Sequence, residues 1–157
     1  MFSPDHLSWY PEAGVDWVTL FYAANGFTAL REDTLLSGSD LYNPVTLEDP
    51  ISGATMTAVP TYHHADVLEH GGLKGWVRQI AASVPGDTLL VIHFDADGAS
   101  WERFDLDLEA VAGEPDLVWT TIADYVEGRA PGGTYPFYGD VVDGTGDGYQ
   151  SLSLIHI

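Results

Sequence analysis

The sequence predicts an α/β domain with a mostly parallel sheet. Thr88 to Phe94 (TLLVIHF) is continuously apolar and rich in β-branched residues, the composition of a strand covered on both faces. Strand-like runs alternate with helix-like stretches along the chain, as they do where helices cross between parallel strands. There is no internal repeat and no heptad pattern. A closed (β/α) barrel usually takes about 200 or more residues, so 157 residues can supply only part of one.

In chain order, Val15, Val18, Leu20, Phe21 and Tyr22 fall close to helical spacing, with Asn25-Gly26 as a stop, so the spacing predicts a helix over 15–24. Phe27 to Arg31 reads as a short strand. Leu36 to Ser52 is rich in Gly, Ser, Asp, Asn and Pro and reads as irregular. Thr55 to Tyr62 (TMTAVPTY) reads as a strand. Ala65 to Ala82 reads as a helix broken by Gly71, Gly72 and Gly75. Pro85-Gly86-Asp87 turns the chain into the strand 88–94. Leu106 to Ala112 is a helix closed by Gly113 and Pro115, Leu117 to Thr121 a second buried strand, Ile122 to Glu127 a short helix, and 128–148 loop.

Composition excludes several classes. At 45% hydrophobic residues the chain can bury a core, and no apolar run is long enough for a transmembrane helix. The absence of cysteine removes disulfides and thiolate metal sites. Asp and Glu number 24 against 5 Lys and Arg, a formal net charge of −19. Such a surface repels phosphate backbones and anionic membranes, so neither nucleic acid nor membrane is an expected partner. Self-repulsion of this size is relieved by salt, and the charge reads as that of a halophilic protein.

In parallel α/β folds ligands bind beyond the carboxyl ends of strands. After the strongest strand comes His93-Phe94-Asp95-Ala96-Asp97, where alternation puts His93, Asp95 and Asp97 on one face. Two acids beside an imidazole point to function, because like charges at close range are costly. A second group, Tyr62-His63-His64-Ala65-Asp66, also follows a strand. Adjacent residues on a strand point to opposite faces, so the paired histidines argue weakly for a metal, and Asp66 reads equally well as a helix cap. The third, Trp9-Tyr10-Pro11-Glu12, sets aromatic rings beside a carboxylate, which suits sugar binding; a first-turn acid at a helix start is the plainer account.

Taken together, the order of these motifs resembles glycoside hydrolase family 57, whose catalytic domain is an incomplete barrel of seven strands. The resemblance rests on Trp9-Tyr10-Pro11-Glu12 followed by Gly26-Phe27; on Val59 to Val67, where Tyr62-His63-His64 stands in place of an aromatic-Arg-Asp segment; on Val91 to Asp97, where Asp97 replaces the usual Glu, with Trp101-Glu102-Arg103-Phe104 after it; and on Thr120-Thr121-Ile122-Ala123-Asp124-Tyr125. It implies a partial (β/α)7-type barrel and retaining hydrolysis or transglycosylation of an α-glucan. Glu12 is then the nucleophile and Asp95 the general acid/base. Trp9, Tyr62 and Trp101 become sugar platforms, and His63, His93 and Asp97 bond sugar hydroxyls. No cofactor is expected, and the partner is a carbohydrate substrate. The family's early histidine-bearing strands and its later helical region have no counterpart here, so the fragment alone is expected to be inactive. Two other readings are a noncatalytic carbohydrate-binding homologue and a metal-dependent sugar hydrolase using His63, His64, Asp66, His93 and Asp95. A structural protein of a halophilic virus or cell is a third, for which the acidity alone speaks. The sequence does not define an oligomeric state.

The barrel reading covers residues 1–151. Residues 152–157 (LSLIHI) match one reading frame of the mosaic-end adapter used in transposase-based sequencing libraries, so this tail is expected to be non-native and the natural chain to continue past Ser151. Met1-Phe2-Ser3-Pro4 has no basic n-region or apolar h-region, so no signal peptide is visible, a cytoplasmic location is favoured, and Met1 reads as readily as an internal methionine.

Overall fold

The structure, a computed structural model, describes residues 7–21, 35–93, 98–115 and 117–137. The anticipated strand at 27–31, the Gly26-Phe27 pair, Asp95, Asp97 and the tail 152–157 lie outside the described residues. The elements in order are α1 (Trp9–Glu12), β1 (Trp17–Phe21), a 3₁₀ turn (Gly38–Tyr42), β2 (Val45–Glu48), β3 (Thr55–His63), α2 (Asp66–Glu69), α3 (Leu73–Ser83), β4 (Val91–His93), α4 (Gly98–Val111), α5 (Ile122–Val126) and β5 (Thr134–Pro136).

The five strands form one mixed sheet around β3. On one edge, β1 runs parallel to it from Trp17 opposite Thr57 to Phe21 opposite Thr61. On the other edge the partner changes along the strand. β2 pairs antiparallel with the first half, Val45 opposite Ala58, and β4 pairs parallel with the last residues, Val91 opposite Thr61 and His93 opposite His63. Strands β2 and β4 therefore begin head to head beside the middle of β3. β5 extends the sheet parallel to β2.

Alternation along β3 assigns its two faces. Met56, Ala58 and Tyr62 enter the main core with Val45 and Leu47 of β2. Leu73, Trp76 and Ile80 of α3, spaced to lie on one helical stripe, close that core. Val59 faces the opposite way and packs with Leu89, Tyr125 and Ile122, so α5 covers the second face. The result is helix, sheet, helix. The anticipated break in the helix 65–82 falls at Gly71-Gly72, whose φ values of 77° and 90° favour glycine. Gly75 instead sits inside α3, where a Cβ would lie 2.7 Å from the His70 carbonyl oxygen.

Several expectations are corrected. The helix over 15–24 is in its described part a strand, β1: Trp17, Val18, Thr19 and Phe21 are aromatic or β-branched, and the run pairs with β3, Val18 and Leu20 packing on one core cluster and Trp17 on the other. The predicted strand 117–121 is not one: Val118 and Trp119 are 81% and 66% exposed, and Leu117 alone of the apolar residues packs on the core. The stretch 36–52 holds β2, whose Val-Thr-Leu-Glu alternates buried and half-buried. In its described part, strand 88–94 begins only at Val91, and Val91–His93 are all half-buried. The loop after 128 contains β5.

Candidate functional site

β1, β3 and β4 run the same way, so their carboxyl ends share one edge of the sheet. At this edge His63 and His93 are register partners. Register partners project from the same face, and the two rings lie 5.0 Å apart at 70°. His64 joins them: its ring is 4.0 Å from that of His63. The rule that neighbours diverge holds inside a strand, but β3 ends at His63 and the chain turns at His64-Ala65, which swings the second ring back. The His64 N–H donates to the His93 carbonyl at 3.0 Å, extending the pairing by one residue.

Two local bonds orient the group. Ala65 N–H donates to His63 Nδ1 at 3.1 Å, so Nδ1 is an acceptor and Nε2 carries the ring proton of the neutral imidazole. Asp66, buried at the start of α2, accepts the His63 backbone N–H at 2.9 Å. The N-cap position of α2 is Ala65, so Asp66 is the first residue of the helix rather than its cap. Imidazoles can exchange hydrogen bonds with hydroxyls in either sense.

Trp101 lies in the first turn of α4, which begins five residues after β4 ends, and is 52% exposed against Phe104. It remains a surface aromatic ring. Tyr62 does not. Its side chain lies on the opposite face, 3% exposed, with centroids 5.8 Å from Tyr42 and 5.1 Å from Trp76, and its hydroxyl donates to the Leu41 carbonyl. The expectation of Tyr62 as a sugar platform is therefore corrected: alternation puts it in the core.

Glu12 and Trp9 come from elsewhere. α1 precedes β1 directly. After a turn at Ala13-Gly14, Val15 N–H returns to the Tyr10 carbonyl, and β1 starts two residues later. Glu12 thus enters at the edge where β1 begins, opposite Thr57, whereas His63 and His93 lie six residues further along β3, about 20 Å at strand rise. Both Glu12 and Trp9 are exposed there. The structure gathers His63, His64, His93 and Asp66, whereas Glu12 and Trp9 belong to α1, which precedes the start of β1. Among the described residues no three His, Asp or Glu side chains are grouped to hold a metal ion.

A polar group escaped the sequence reading. Asp40 Oδ2 accepts from the Tyr135 hydroxyl at 2.7 Å and the Gly133 N–H at 3.1 Å. Burial, with the Asp40 carboxylate next, pushes the Tyr135 phenol up to about 12. Asn43 Oδ1 accepts from the Tyr125 hydroxyl at 2.8 Å. The only sequence signal was the density of Ser, Asp and Asn in 36–52.

No family model, curated protein or solved structure matches the chain.

Proposed function

We propose that the protein is a carbohydrate-binding homologue of the glycoside hydrolase family 57 kind, taking a neutral α-glucan-type oligosaccharide at the carboxyl edge of its parallel strands. One observation carries this reading: three imidazoles converge at the ends of β3 and β4, while Glu12 lies in the segment that leads into the start of β1. Retaining hydrolysis needs its two carboxyl groups about 5–5.5 Å apart, a spacing that the entry of Glu12 at the start of β1 does not favour. The sugar class rests on the order of motifs and on the charge, since a net −19 disfavours phosphorylated or carboxylated ligands. His63 and His93 bond hydroxyls, with Asp95 and Asp97, which follow β4 in sequence, as further acceptors and Trp101 as a stacking surface. On this reading β1, β3 and β4 are part of a (β/α)7-type barrel, and the acidity is an adaptation to high salt.

Calorimetric titration of the full chain with maltoheptaose, with product analysis on the same samples, tests the proposal. Saturable binding without chain shortening supports it. Hydrolysis that is lost in Glu12→Gln overturns it in favour of a catalytic Glu12–Asp95 pair.

A further inference from the structure

We propose that the open depression beside the start of β2 binds a small zwitterion, a compact molecule carrying both an ammonium and a carboxylate, at a site separate from the histidine edge. The depression has a volume of about 330 Å³, at the small end of ligand pockets. Ser39, Asp40 and Asn43 wall it from the 3₁₀ turn and its exit, and Arg129 and Gly132 from the stretch leading into β5.

Each charged or amide group on this wall is held by a second group. Both described bonds to Asp40 fall on Oδ2. A Cβ at Gly132 would lie 2.3 Å from Oδ1, so glycine there is what leaves Oδ1 room. Asn43 donates from Nδ2 to the Ser39 carbonyl at 2.9 Å while accepting from Tyr125. The Arg129 guanidinium lies 4.1 Å over the Tyr125 ring and bonds Asp87 through Nη2 at 3.1 Å. A guanidinium has five N–H donors, and this bond uses one. Orienting contacts of this kind are what a preformed polar site requires.

The charges select the ligand class. Asp40 offers an acceptor to an ammonium, and Arg129 offers paired donors to a carboxylate. The net charge of −19 repels simple anions, whereas a zwitterion brings no net charge. No aromatic ring is among the described lining residues, and Arg129 covers the Tyr125 face, so the depression offers no stacking platform for a sugar.

The test is a titration of the ¹⁵N-labelled full chain with glycine and, separately, acetate, methylammonium and glucose. Glycine is expected to move the amide signals of residues 39–44 and 129–133 along a saturable curve, with the other three probes weaker by about tenfold or more. Arg129→Gln, a change at an exposed side chain, is expected to weaken glycine binding by about tenfold or more, the loss of a charge-assisted hydrogen-bond pair, with spectral changes confined to its neighbours, Asp87 and Tyr125 included. Absence of a saturable response to glycine, an equal response to acetate or glucose, or unchanged affinity in Arg129→Gln overturns the proposal. The four-probe comparison stands on the unaltered chain, whatever the variant does to folding.

Discussion

Tyr62 and His63 are neighbours at the end of β3, yet the Tyr62 ring closes the core on one face of the sheet while the His63 ring joins two other imidazoles on the carboxyl edge. Around Tyr62 the contacts are those of a packed interior. Trp76 meets its ring edge-on, the Trp76 indole N–H donates to the Tyr42 hydroxyl at 3.1 Å, and both phenols lie within the aromatic group. Around His63 the groups are polar and half-exposed, held by backbone bonds and Asp66. One residue of register separates a ring that packs in the core from a ring at the candidate site. A motif read as a single string, Tyr62-His63-His64, thus divides into a structural part and a candidate site.

The largest expected effect lies on the Tyr62 side. Trp76→Ala should cost about 3–5 kcal/mol, the usual range for removing a large buried aromatic residue, read as a drop in the midpoint of chemical denaturation. A loss under about 1 kcal/mol would mean that α3 does not close the core.

Salt should separate apolar from charged contributions. The Trp76 side is held by burial, which salt does not weaken, whereas 24 acids against 5 basic residues repel one another. The melting temperature should therefore rise from low to molar NaCl. A flat profile would remove the case for adaptation to high salt.

Smaller is the effect of Tyr62→Phe, which keeps the ring and deletes the bond to the Leu41 carbonyl. About 1 kcal/mol is expected, with no change in sugar binding. A binding defect in this variant would return Tyr62 to the ligand.

Smaller again is a pH effect on the outer side of α3. Hydrogen bonds from Lys74 and then Arg78 hold the Glu114 carboxyl below its ordinary value. A depressed folded value means that this contribution is present above the ordinary carboxylate pKa and is lost as pH falls through the lower folded one. These pairs are solvent-screened, so the effect is modest. Wild type should melt slightly above Glu114→Gln at pH 6, and the gap should close below about pH 4. A gap constant down to pH 2 would contradict the assignment.

The sequence made β3 and the two-piece helix after it legible because their signals are plain: a run of strand-forming residues over 55–62, and a Gly71-Gly72 pair that takes positive φ. Residues 17–21 were misread because a short apolar run satisfies both helical and strand spacing, and pairing with β3 decides between them. β2 is four residues between Pro44 and Asp49, too short to stand out from a polar stretch. At the site, His63 and His93 followed from the strand-end rule. The inward turn of Tyr62 and the return of His64 depend on where β3 stops, which local composition does not encode. That Glu12 precedes a strand rather than a helix was not legible either, because it depends on the same misread run.

The central claim is that ligand binding belongs to the histidine edge and not to Glu12. The most direct measurement is the maltoheptaose affinity of His63→Ala and Glu12→Gln beside wild type, each first checked for an unchanged melting temperature. Both positions lie outside the buried core, so stability should move by less than about 0.5 kcal/mol. The account predicts that His63→Ala loses about tenfold or more in affinity, the loss of a hydrogen bond from an oriented ring, and that Glu12→Gln binds as wild type does. Wild-type affinity in His63→Ala, or lost binding in Glu12→Gln, would contradict it.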